Sequence, residues 1–188
     1  MDTIAHAPGD IGLAFFATAI GECGIAWNNA AITGVQLPER TPRATRTRMT
    51  RRFPDAREVT PPPHARAAID GIIALLAGEP RDLSGVALDM RGVSSFNQRV
   101  YDIARTIAAG STMTYGELAA QLGDPGAARD VGRALGENPF PIVVPCHRVL
   151  AAGGRTGGFS GGAGVTTKLR MLAIERSPGP LFDQPVSR

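Results

Sequence analysis

Apolar residues change their period about half-way along the chain. From Ile11 to Leu37 they come in short runs broken by "IGECG" and "NNAA", which predicts two or three strands joined by tight turns, forming a small sheet. Helical patterns follow over 42–53 and, after "TPPPHA", over 64–77, where Gly78 and Pro80 act as stop signals. Leu83 to Met90 reads as a further strand. Beyond Ser94 nearly everything is helical, so the division falls near Gly92. The expectation is an α/β chain of the α+β kind: a sheet-containing support domain over 1–92, then a mostly helical domain over 93–188.

The second half shows its periods plainly. Phe96, Val100, Ile103 and Ile107 are spaced by four, three and four residues, one apolar stripe that predicts a core helix ending at Gly110. In "TMTYGELAAQLGDPGAARDVGRALGENPFP", Thr114 caps a helix through Leu122. Asp124 and Pro125 open a second helix through Leu135. Two short helices across a tight Gly-containing turn have the layout of a helix-turn-helix, although many helix pairs never touch DNA. The second is almost without bulk, carrying Ala127, Ala128, Gly132 and Ala134, and Arg129 stands out from it. Such a helix can press close to a partner.

Composition narrows the class. The chain has 188 residues, 43% of them hydrophobic, which is enough to bury a core. With two cysteines, no disulfide scaffold is expected, and the N-terminus has no signal-peptide pattern, so a reduced cytoplasmic protein is expected. No apolar stretch is long enough for a membrane span. The net charge is +3, and Lys168 is the sole lysine among twenty basic residues, a skew that base composition alone would explain. The densest basic run, "RTPRATRTRMTRRFPDAR" from Arg40 to Arg57, fits either a phosphate-tracking surface or a solvated helix face.

Chemistry concentrates in "FPIVVPCHRVLAAGG" from Phe140 to Gly154, which sets Cys146, His147 and Arg148 in an apolar run. A thiolate is a strong nucleophile where the local field lowers its pKa. His147 is adjacent in sequence, yet neighbours i and i+1 diverge, so a relay through water with an orienting carboxylate is the workable arrangement. A buried structural cysteine beside a core histidine is the alternative reading.

"NPFPIVVPCHRV" from Asn138 to Val149, preceded by "TYGELAA" and "GAARDVG" and followed by "GGFSGG" and "KLRMLAIE", resembles the O6-alkylguanine-DNA alkyltransferases. The likeness is dense over 94–175 and only general over the first 90 residues. It implies that Cys146 accepts the alkyl group, once per molecule, and that His147 is a water-mediated base oriented by Glu175. Asn138 would bridge the turn between the recognition helix and the active-site segment, and Tyr115 would donate a proton or a hydrogen bond to the minor-groove ring nitrogen of a flipped guanine. The carbonyls of Cys146 and Val149 would hold the guanine amine, Ser160 would sit over O6, and Pro141 and Phe159 would line the pocket. Arg129 would enter the duplex while Ala127, Ala128 and Gly132 face the minor groove. The implied partner is double-stranded DNA containing O6-alkylguanine, met by a monomer, with no cofactor and no membrane.

Gly158 and Phe159 stand where the family often has a tyrosine second, which removes a pocket hydroxyl. Asp130 replaces a frequent alanine and is expected to turn from phosphates or pair with Arg133. Cys23, His6 and His64 are not spaced as a ligand set, so no metal is expected. Two rival classes remain: a lesion-binding module without transfer, which Cys146 argues against, and a cysteine hydrolase, which leaves Arg129 and its small-residue helix unexplained.

Overall fold

Two seven-residue strands, β1 (Gly12–Thr18) and β2 (Gly21–Trp27), pair antiparallel from Gly12↔Trp27 to Thr18↔Gly21. β3 (Ile32–Gln36) adds to the outer edge of β2. In this computed structural model, which describes residues 11–159 and 161–176, a two-residue strand β4 (Arg57–Glu58) lies parallel to β1 and completes the order β3-β2-β1-β4.

Alternation of side chains along the strands splits the sheet between two packing partners. Leu13 and Ala26 meet Met49 of α1 (Pro42–Arg52) on one face. Cys23, Ile25 and Trp27 on the other join α2 (Pro63–Leu76) and the buried residues of the second half in one contiguous core. α1 and α2 thus lie within a residue of the expected 42–53 and 64–77.

The expected strand over 83–90 does not form. Only an isolated bridge, Ile32 with Leu88, survives there, held by Ile32 N–H to the Ala87 carbonyl and Asp89 N–H to the Ile32 carbonyl. The reason is a competing donor: the Arg105 guanidinium takes the carbonyls of Leu83, Ser84 and Val86, which a strand would have offered to a ladder.

The second half consists of α3 (Ser95–Arg105), α4 (Tyr115–Gln121), α5 (Ala128–Gly136) and α6 (Val165–Ile174), with a small parallel pair β5 (Met113–Thr114) and β6 (Val149–Leu150). α3 ends at Arg105, before Gly110, and Val100 and Ile107 of its stripe are buried. Thr114 caps α4 through a reciprocal capping box with Glu117, so the helix-turn-helix begins on a fixed register. A 3₁₀ turn over Pro125–Ala127, capped by Asp124, leads into α5. Among the described residues no helix is long and apolar enough to cross a membrane. His6 and the last twelve residues lie outside the described residues.

Candidate active site

Directly after α5, Asn138 pins the chain that carries the cysteine. Its Oδ1 accepts from the Phe140 N–H at 2.9 Å and its Nδ2 donates to the Val144 carbonyl at 2.9 Å, while Val144 N–H closes back on the Phe140 carbonyl at 2.8 Å. Inside this turn Ile142 has φ 76°, a strained backbone for a β-branched residue, kept there by burial and by the Asn138 clasp. Pro145 then leads into a 3₁₀ turn, Cys146–Arg148.

Behind the cysteine lies a buried charge cluster. His147 Nε2 is 3.0 Å from Glu175 Oε1, and Arg148 grips the same carboxylate at 2.8 and 2.9 Å through Nη2 and Nε, its Nη1 donating to the Ile107 carbonyl. Side-chain exposure is 1% for both His147 and Glu175. Burial alone would raise the Glu175 pKa, but hydrogen bonds from His147 and Arg148 outweigh it and bring the pKa down to about 2. Burial lowers the His147 pKa despite its bond to Glu175. The imidazole is therefore neutral near pH 7, and the charge facing Glu175 is that of Arg148. With Nε2 assigned as the donor to Glu175, Nδ1 is the basic nitrogen. Nδ1 is buried without a hydrogen-bond partner among the described residues.

Burial also raises the Cys146 pKa, against the opposing pull of Asn138 and Lys168. The sequence suggested a local field that lowers it. In the resting protein burial wins, and the thiol keeps its proton until something takes it. Cys146 opens on a cleft of about 540 Å³ shared with Tyr115, Asn138, Pro141, Phe159, Ala128 and Gly132. The Tyr115 hydroxyl donates to the Gly158 carbonyl at 3.4 Å, and burial raises its pKa. Gly157 has φ 66°, and a Cβ there would lie 2.9 Å from the Tyr115 ring, so only glycine lets this loop close over the tyrosine.

The remaining expected residues divide. Arg129 is exposed near the start of α5, and Asp130 pairs with Arg133 at 3.4 Å. Ala128 and Gly132 are part-exposed at the cleft. Ala127 is not a groove-facing residue: it precedes α5 in the 3₁₀ turn and packs into the core at 5% exposure. The Cys146 carbonyl accepts from Val149 N–H and the Val149 carbonyl from Lys168 at 2.6 Å, leaving each one lone pair. Ser160 lies outside the described residues. Cys23 is fully buried with its pKa raised to about 12, an inert thiol, and His64 bonds the Asn28 carbonyl. Among the described residues no three His, Cys, Asp or Glu side chains are grouped to hold a metal.

Residues 95–177 match the family described as "6-O-methylguanine DNA methyltransferase, DNA binding domain". The chain is 40% identical over 168 residues to the methylated-DNA–protein-cysteine methyltransferase of Mycobacterium tuberculosis, covering 87% of this chain and 94% of the relative. The chain belongs to this methyltransferase family. A relative from Methanothermobacter thermautotrophicus is 34% identical over 154 residues, with 82% and 79% covered. Among solved structures, M. tuberculosis OGT in complex with DNA superposes with a TM-score of 0.69 at 36% identity, covering 90% of this chain and 97% of that one. The Pyrococcus kodakaraensis methyltransferase follows at 0.67 and 25% identity, with 88% and 98% covered.

Against this methyltransferase background two site residues stand out that sequence reasoning passed over. Arg148 belongs to the charge cluster described above. Lys168, the sole lysine, is fully buried, with Nζ 5.8 Å from the centroids of both Tyr115 and Phe159. Burial lowers its pKa to about 8, against the opposing influence of Cys146. Its rarity in an arginine-rich chain was the available signal: a compact ammonium fits where a guanidinium fork does not.

Proposed function

We propose that the protein repairs O6-alkylguanine in double-stranded DNA by moving the alkyl group to its own Cys146, once per molecule, in the cytoplasm and as a monomer. The observation that carries this reading is the placement of a lone cleft cysteine beside a neutral, carboxylate-oriented histidine, at the foot of a small-faced helix with an exposed arginine.

In this reading α5 lies in the minor groove with Ala128 and Gly132 against it. Arg129 fills the space left by the extruded nucleotide, which costs a few kcal/mol to unstack. The guanine enters the cleft lined by Pro141 and Phe159, its amine on the free lone pairs of the Cys146 and Val149 carbonyls. His147 Nδ1 takes the thiol proton through one water, and Glu175 holds the ring in the tautomer that leaves Nδ1 basic. Sulfur attacks the alkyl carbon, the carbon–O6 bond breaks, and its electron pair passes to the base. Tyr115 protonates the departing ring, and the proton from the thiol replaces the one Tyr115 gave. Lys168 opposes the build-up of negative charge near sulfur. The product is a thioether and neutral guanine, with no step that returns the thiol. The 1–92 half supports this site by seating Val35 and Arg52 on the Pro139 carbonyl.

The test is a comparison of two substrates. Arg129→Ala slows methyl removal from a duplex roughly tenfold or more, the extrusion cost then falling on the lesion alone, and leaves the reaction with free O6-methylguanine base unchanged. Equal losses on both substrates would assign Arg129 to the fold or the chemistry and remove nucleotide extrusion from the reading.

A further inference from the structure

α1 carries five arginines in eleven residues and no acidic side chain, and the fold engages only three of them. Arg46 pairs with Glu22 and Glu58, Arg48 with Glu39, and Arg52 donates to the Val35 and Pro139 carbonyls. Arg43, Arg51 and the preceding Arg40 are exposed and have no partner among the described residues. With 3.6 residues per turn Arg43, Thr47 and Arg51 fall on the side opposite the buried Thr45 and Met49, Arg43 to Arg51 spans about 12 Å of helix, and Arg40 lies just before the N-cap Thr41.

Resting on the reading that the protein acts on duplex DNA, we propose that this arginine face is a second DNA contact, which takes the phosphodiester backbone outside the groove that receives α5. Three observations favour that partner. The face has no exposed large apolar side chain to anchor a peptide or a membrane. Glu39 beside it is already held by Arg48, and Arg43 and Arg51, unpaired among the described residues, present guanidinium forks suited to phosphate oxygens. The end of α1 is tied to the active-site turn by Arg52 on Pro139, three residues past the end of α5. A backbone contact there adds affinity without sequence preference, which suits a protein that must search undamaged DNA.

The experiment measures affinity of the full chain for an undamaged duplex across a series of salt concentrations. Combining Arg40→Gln, Arg43→Gln and Arg51→Gln lowers the slope of log affinity against log salt by about 2 to 3, since each lost phosphate contact removes about 0.9. A control combining Arg66→Gln with Arg81→Gln, two exposed arginines elsewhere, leaves the slope unchanged. Reaction with free O6-methylguanine base and the melting temperature stay at the wild-type level in both. A wild-type slope in the triple variant overturns the proposal, whether the face is merely solvated or serves an acidic protein. An equal loss per arginine in the control overturns it too, by reducing the effect to net charge. Absence of methyl transfer by the wild-type chain is a separate readout that would strike the repair reading instead.

Discussion

Glu175→Gln lowers stability by about 3 kcal/mol at neutral pH and slows alkyl transfer on the order of a hundredfold. The carboxylate is shared between a neutral imidazole and a buried guanidinium, and an amide keeps one acceptor oxygen but no charge, which leaves Arg148 a buried cation without a counter-charge. The bidentate grip of Arg148 on Glu175 is why the change reaches the fold as well as the chemistry. The pH dependence has a definite sign. Glu175 is depressed from 4.5 to about 2, so its contribution is fully present above about pH 4.5 and is lost as pH falls towards 2. Acid unfolding followed by circular dichroism should therefore show wild type and variant converging in stability across that window. A variant as stable as wild type at pH 7, with parallel acid titrations, would show that the cluster is not coupled as the geometry indicates.

Lys168→Met has the opposite signature, with function lost and stability kept or gained. A buried ammonium costs the fold free energy wherever it is charged. Its folded pKa of about 8 lies below the ordinary 10.5, so that penalty is full below pH 8 and disappears as pH rises to 10.5. Methionine removes the penalty at the same length, offset in part by the Val149 carbonyl it leaves without its donor. Transfer slows roughly tenfold to a hundredfold, as expected when one preorganised charge beside the developing thiolate is lost. The wild-type advantage also shrinks above about pH 8, where Lys168 gives up its proton. Single-turnover rates and thermal melts across pH decide the matter: an unchanged rate would make Lys168 a structural anchor for β6 alone.

Both effects arise from residues whose meaning the linear pattern conveys unevenly. Thr114, Pro125 and the stripe from Phe96 to Ile107 announce their helices because capping and period act locally. The Asn138-to-Arg148 segment announces its chemistry because Cys, His and Arg are rarely set in an apolar run. Contacts between distant segments leave no such trace. Arg105 cancels a strand by taking carbonyls about twenty residues upstream. Arg148 reaches Glu175 across 27 positions. Ala127 reads as part of the small face by spacing, yet the 3₁₀ turn rotates it inward. Lys168 sits in a helix where lysine ordinarily signals solvent; its rarity is the one trace in the sequence, and the packing of α6 on the Cys146 turn makes it an interior charge.

The most direct test of the account is the mass of the protein after it has met its substrate. Incubated with excess duplex carrying O6-methylguanine, then digested, the chain should gain one methyl group on the peptide containing Cys146. Restored guanine should stop at one equivalent per protein, because the thioether has no route back to the thiol. Cys23, buried and with its thiol pKa raised to about 12, stays unmodified. Methyl transfer that continues past one equivalent, a methyl group on Cys23, or a retained duplex with neither partner changed would contradict Cys146 as the single-use acceptor.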